Sequence, residues 1–127
     1  MTAKPLILSV VTCDAVHVDK STGKYYLLGV FSSIRTRHFP VVHPRMFWFV
    51  VLTDVPTGEH ILRVSLGLPT EAPIMEIDRP FESQNPLHRI HLVNEIQNLR
   101  FEEPGDYSLN IEVDDEPLIV TSFAVST

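Results

Sequence analysis

The sequence predicts an all-β fold, a two-sheet sandwich of about seven or eight antiparallel strands with at most one short helix. Three observations carry this expectation. Apolar and polar residues alternate over short runs, the period of a half-buried strand. Turn-forming residues separate those runs at short intervals. No long helical period intervenes. The chain has 127 residues, 44% of them hydrophobic, with 10 prolines and 5 glycines. That length suits one domain with a sizeable core. No linker, internal repeat or low-complexity tract divides it, so residues 1–127 read as a single domain.

The elements follow in order. Leu6 to Val18 forms the first strand, and Asp19-Lys20-Ser21-Thr22-Gly23-Lys24 turns the chain into a second over 25–34. Gly23 can take the positive φ such a turn needs. Residues 46–52, Met46-Phe47-Trp48-Phe49-Val50-Val51-Leu52, break the alternation with seven apolar residues in a row. As a strand they place Phe47, Phe49 and Val51 on one face and Met46, Trp48, Val50 and Leu52 on the other. Both faces then need cover, from a loop such as 35–44 or from another protein surface. Val55-Pro56-Thr57-Gly58 fits a type I turn and reads as a hairpin joining 46–53 to 60–68. In that strand Leu62, Val64, Leu66 and Leu68 alternate with Ile61, Arg63, Ser65 and Gly67.

The stretch after Asn85-Pro86 is double-edged. Leu92, Ile96 and Leu99 fall at helical spacing behind a fitting N-cap and first-turn proline. His88, Ile90 and Leu92 alternate with Arg89, His91 and Val93 as a strand would. The reading adopted is a strand over 88–93 and a turn of helix over 95–99. Finally, Tyr107, Leu109, Ile111 and Val113 alternate with polar residues, and Asp114-Asp115-Glu116-Pro117 closes a hairpin with 118–125.

Two resemblances extend this reading. Phe101-Glu102-Glu103-Pro104-Gly105-Asp106-Tyr107 and the strand after it, to Val113, resemble the late part of immunoglobulin-like domains. There a Gly-x-Tyr step enters a strand and the tyrosine hydroxyl pins the preceding corner. The resemblance implies an immunoglobulin-like sandwich and a structural role for Tyr107. The paired cysteines of antibody domains and the tryptophan between them are missing, because Cys13 is alone. Over most of its length the chain also resembles a family of short bacterial proteins of unknown function. The matching stretches are Cys13-Asp14-Ala15-Val16, Thr22-Gly23-Lys24, Leu28-Gly29-Val30-Phe31-Ser32, Phe39-Pro40 and Glu103-Pro104-Gly105-Asp106-Tyr107. That likeness implies no activity, cofactor or catalytic residue.

Composition narrows the functional classes. Ten Lys and Arg against 16 Asp and Glu leave a net charge of −6, which argues against nucleic acid as a partner. The longest uncharged apolar run is far short of the roughly 20 residues that cross a bilayer. The start of the chain, Met1-Thr2-Ala3-Lys4-Pro5, leads into no signal-peptide pattern. A cytoplasmic protein without a membrane partner is the expectation, and a reduced Cys13 fits it.

Chemistry-bearing residues are sparse in pattern. One cysteine supports neither a disulfide framework nor a cysteine zinc cluster, and within an apolar strand its thiol is inert. Six histidines (17, 38, 43, 60, 88 and 91) invite a metal. The spacing of His88 and His91, however, separates them across a strand, and zinc takes three or four ligands. Asp114-Asp115-Glu116 reads as a solvated turn without calcium-loop spacing. Thr22-Gly23-Lys24 lacks the upstream glycine and following helix of a phosphate loop, and no Gly-x-Ser-x-Gly elbow occurs. No metal or cofactor is expected.

The expected function is a non-enzymatic protein-binding or assembly module. It would dimerise or dock on a protein through an apolar sheet face or edge strand bearing Phe47, Phe49, Trp48 and Tyr26. The alternative is a small-ligand or metal-dependent enzyme using His88 or His91 with nearby carboxylates.

Overall fold

The computed structural model describes residues 4–127. The reading of the chain's start as free of a signal peptide falls partly on residues 1–3, outside the described residues. Nine strands follow one another: β1 (Leu6–Val18), β2 (Tyr25–Val30), β3 (Ser33–Arg35), β4 (Val41–Thr53), β5 (Gly58–Gly67), β6 (Met75–Ser83), β7 (Ile90–Phe101), β8 (Gly105–Val113) and β9 (Glu116–Ser126). They build a four-stranded sheet of order β2-β1-β4-β7 and a five-stranded sheet of order β3-β9-β8-β5-β6. The fold is an all-β sandwich. Met46, Trp48, Val50 and Leu52 of β4 share one buried cluster with Leu62, Val64 and Leu66 of β5 and Leu109 and Ile111 of β8.

Tyr107 anchors the entry to β8. Its hydroxyl donates to the Glu103 carbonyl at 2.6 Å, the corner-pinning bond that the Gly-x-Tyr step implied.

Several local expectations need correction. No helix forms over 95–99, because β7 runs unbroken in register along β4. The helical spacing has another origin. Leu92, Asn94 and Ile96 are buried, Gln97 and Asn98 are both exposed, and burial resumes at Leu99 and Phe101. Asn98 has a φ of 53°, a left-handed conformation that asparagine tolerates. It shifts the alternation by one residue and so mimics a helical step.

The turn Val55-Pro56-Thr57-Gly58 does not close a hairpin. β4 and β5 lie in different sheets, and the connection crosses from one layer to the other. Burial explains the crossing. Val55 is fully buried, and its carbonyl accepts a bond from Ser83 Oγ at 2.8 Å, which draws the turn over the end of the core. The pairing is not wholly antiparallel either, since β3 runs parallel to β9.

β6 is absent from the expected strands although its signal is legible. Met75, Ile77 and Phe81 alternate with Glu76, Asp78, Pro80 and Glu82, and Pro80 marks it as an edge strand. The three residues of β3 are too few to show a period.

The β1–β2 hairpin doubles back on the first sheet. Val11 pairs with Phe49 of β4, and Val18 pairs with Tyr25 of β2. On a straight strand, Val11 and Val18 would lie roughly 23 Å apart. Yet the Tyr25 ring lies 5.2 Å from that of Phe49 and 5.2 Å from that of His91 on β7. The far half of the hairpin must therefore fold over the sheet's outer face. The bend sits between the Cys13–Val30 and Ala15–Leu28 pairs, where Gly29 has a φ of 69°. A side chain at Gly29 would also collide with the Asp14 carboxylate.

Candidate functional site

The apolar run of β4 is covered on both faces. Met46, Trp48, Val50 and Leu52 fill the centre of the sandwich. Phe47, Phe49 and Val51 face the other way, and each is only 7% exposed. Their cover comes from the folded-back hairpin, through Tyr25 on Phe49, and from the Arg45 guanidinium, 4.8 Å from the centre of the Phe47 ring. It does not come from residues 35–44, whose Phe39 and Val41 pack against the central cluster instead. Of the four residues expected to share a docking surface, Phe47, Phe49 and Trp48 are therefore buried, and Trp48 Nε1 has no hydrogen-bond partner. Tyr26 alone is exposed.

Tyr26 belongs to a different apolar surface. On β2, Tyr26, Leu28 and Val30 are 48%, 56% and 64% exposed. The strand is an edge, and its sequence, Tyr25-Tyr26-Leu27-Leu28-Gly29-Val30, holds no charge and no proline. The edges at β3, β6 and β7 are blunted in ways that discourage pairing. β3 has three residues. β6 presents Glu76, Asp78, Pro80 and Glu82 to solvent, and β7 carries Glu95, Arg100 and the Asn98 break.

Beneath the hairpin tip lies a cleft of about 810 Å³. Phe49 and Val51 form its floor, Tyr25 and His91 stand against one another as stacked rings, and Lys24 and Arg89 reach its rim. No carboxylate lines it. His91 thus enters a cleft while His88 does not. The backbone N–H of His88 donates to the Asn85 carbonyl in the turn before β7. The carboxylates expected beside these histidines are not gathered there.

A second histidine, one the sequence did not single out, has the most ordered surroundings. His60 Nδ1 lies 2.5 Å from Asp114 Oδ2, and Nε2 lies 2.6 Å from the Pro56 carbonyl. Both neighbours are acceptors, so both ring nitrogens donate only when the imidazole is protonated. Asp114 also accepts from the Ile61 N–H at 2.9 Å. Burial works against charge on His60, but Asp114 and the Pro56 carbonyl outweigh it and raise the pKa. Burial likewise opposes charge on Asp114, and His60 with the Ile61 N–H draws its pKa down. The trio ties the β4–β5 crossing to the β8–β9 turn. Asp114 is the turn former its sequence suggested, with φ of 52°. Its partner lies 54 positions away, beyond the reach of a local pattern.

Among the described residues no group of three or more His, Cys, Asp or Glu side chains is gathered to hold a metal ion. Nor, among the described residues, is any helix long and apolar enough to cross a membrane. No curated protein matches the sequence. A family model does match, over residues 8–126, and with nearly the whole chain covered the protein belongs to DUF6941, a family of unknown function.

Proposed function

We propose that the protein is a non-enzymatic assembly module that docks through edge strand β2, with a second copy of the chain as its partner. The observation that carries this reading is the contrast among edges. β2 combines an open backbone with exposed Tyr26, Leu28 and Val30 and no charged or proline residue, unlike the edges at β3, β6 and β7. Pairing with another strand would satisfy its outward N–H and C=O groups and cover those side chains together. A two-fold arrangement, β2 against β2, uses one self-complementary patch and closes on itself. The bend at Gly29 leaves residues 25–28 of β2 as the stretch before it that is available for such pairing.

Light scattering behind size exclusion tests it. The expected result is a species of twice the 14.4 kDa chain mass, and return to the monomer in Leu28→Lys, which sets like charges across the two-fold. A monomer throughout the micromolar range, or a dimer indifferent to Leu28→Lys, overturns the reading.

A further inference from the structure

We propose that the cleft beneath the folded-back hairpin binds a small aromatic anion, a flat ring bearing a carboxylate or phosphate group. The site faces the sheet, on the side of the hairpin away from exposed Tyr26 and Leu28, so the proposal stands apart from docking through β2.

Three features point to this ligand class. The first is charge. In a chain of net charge −6, this cleft presents two cationic side chains, Lys24 and Arg89, and no acidic group. Arg45, Arg63 and Arg100 are each paired with carboxylates. Among the described residues Lys24 and Arg89 enter no such pair, which leaves their donors free for an anion. Arg89 can grip a carboxylate or phosphate through two parallel bonds.

The second feature is the apolar wall. Tyr25 and His91 stack at 5.2 Å with 20° between their planes, and the Phe49 ring lies 5.2 Å and 5.9 Å from them. Such a wall favours a planar guest in offset or edge-on contact. The third is size and order. The volume of about 810 Å³ lies within the range of small-molecule sites. The tip that carries Lys24 is held by backbone bonds from Asp19 N–H to the Lys24 carbonyl at 2.9 Å and from Gly23 N–H to the Asp19 carbonyl at 2.7 Å. The Ser21 N–H also donates to the Asp19 carboxylate at 2.9 Å. A rim fixed in advance loses less freedom on binding.

Calorimetric titration with 1-naphthoate, 1-naphthyl phosphate and the neutral 1-naphthylmethanol tests the inference on the intact chain. Saturable one-to-one binding of at least one anion is expected, and whichever anion saturates identifies the favoured head group. The alcohol should bind about tenfold more weakly or worse. Arg89→Gln and Lys24→Gln should each weaken the anion about fivefold or more while leaving the alcohol unchanged. Arg100→Gln, a charge change outside the cleft, serves as the control and should have no effect. Equal affinity for alcohol and anions, no saturable binding by either anion, or an Arg89→Gln chain that binds as the wild type does would overturn the proposal. None of these outcomes depends on the oligomeric state.

Discussion

Protonated His60 donates from both ring nitrogens, and that makes stability depend on pH in a definite direction. Its pKa is raised in the folded chain, so its contribution is complete below the ordinary histidine value of about 6.5 and fades as pH rises through the folded value. The Asp114 pKa is lowered, so its contribution is present above about 3.9 and is lost as pH falls through the folded value. The two overlap as a plateau between about pH 4 and 6.5. Asp114→Asn keeps a residue that tolerates the φ of 52° and keeps an acceptor for Ile61, but it removes the charge. Urea unfolding should show a loss of about 1 kcal/mol near pH 5, shrinking toward pH 9 and toward pH 3. At this scale the sequence was half legible. Asp114 was visible as a turn residue, and Tyr107 as a corner residue from its Gly-x-Tyr context. Nothing within a few positions of His60 could disclose a bond spanning 54 residues.

Strands with a steady period were legible from alternation, and those with a break misled. β8 alternates without interruption and was read within a residue or two of its limits. β7 imitated a helix because Asn98 shifts its phase. The run in β4 announced that both faces are covered but could not name the cover, because the covering hairpin depends on a bend between distant pairs. That bend offers the sharpest test among the elements. Gly29→Ala forces a side chain into a φ of 69° and against Asp14. A loss of about 1–3 kcal/mol in urea denaturation is expected, accompanied by faster amide exchange in β2 than in β8. An unchanged midpoint would mean that the hairpin can bend elsewhere.

Across the whole molecule, the first strand does two tasks. Its early half is a sheet member against β4, and its late half turns over that same sheet as a roof. A third layer therefore lies over Phe49 where a simple sandwich has two, and it gives an apolar outer face something to pack against. The sandwich class was legible because most strands keep their period. The third layer was not, since it follows from tertiary geometry alone. Arg79 adds a tie between the sheets by donating to the Val93 carbonyl, so strands β6 and β7 are joined along one side.

The roof also makes the protein's one thiol a clock. Cys13 has no exposed surface, sits on the last rung before the bend, and has its pKa pushed up, chiefly by burial. A disulfide reagent can reach it only after the hairpin lifts or the chain unfolds. At high reagent concentration the modification rate should level off at the opening rate rather than keep rising. Tyr25→Ala, which loosens the roof from Phe49 and His91, should raise that plateau well before it changes the global unfolding midpoint. If the plateau rises only in step with a falling midpoint, the roof and the sandwich open as one cooperative unit. Oxidation of this protein would then be timed by its own motion, whatever the strength of the oxidant around it.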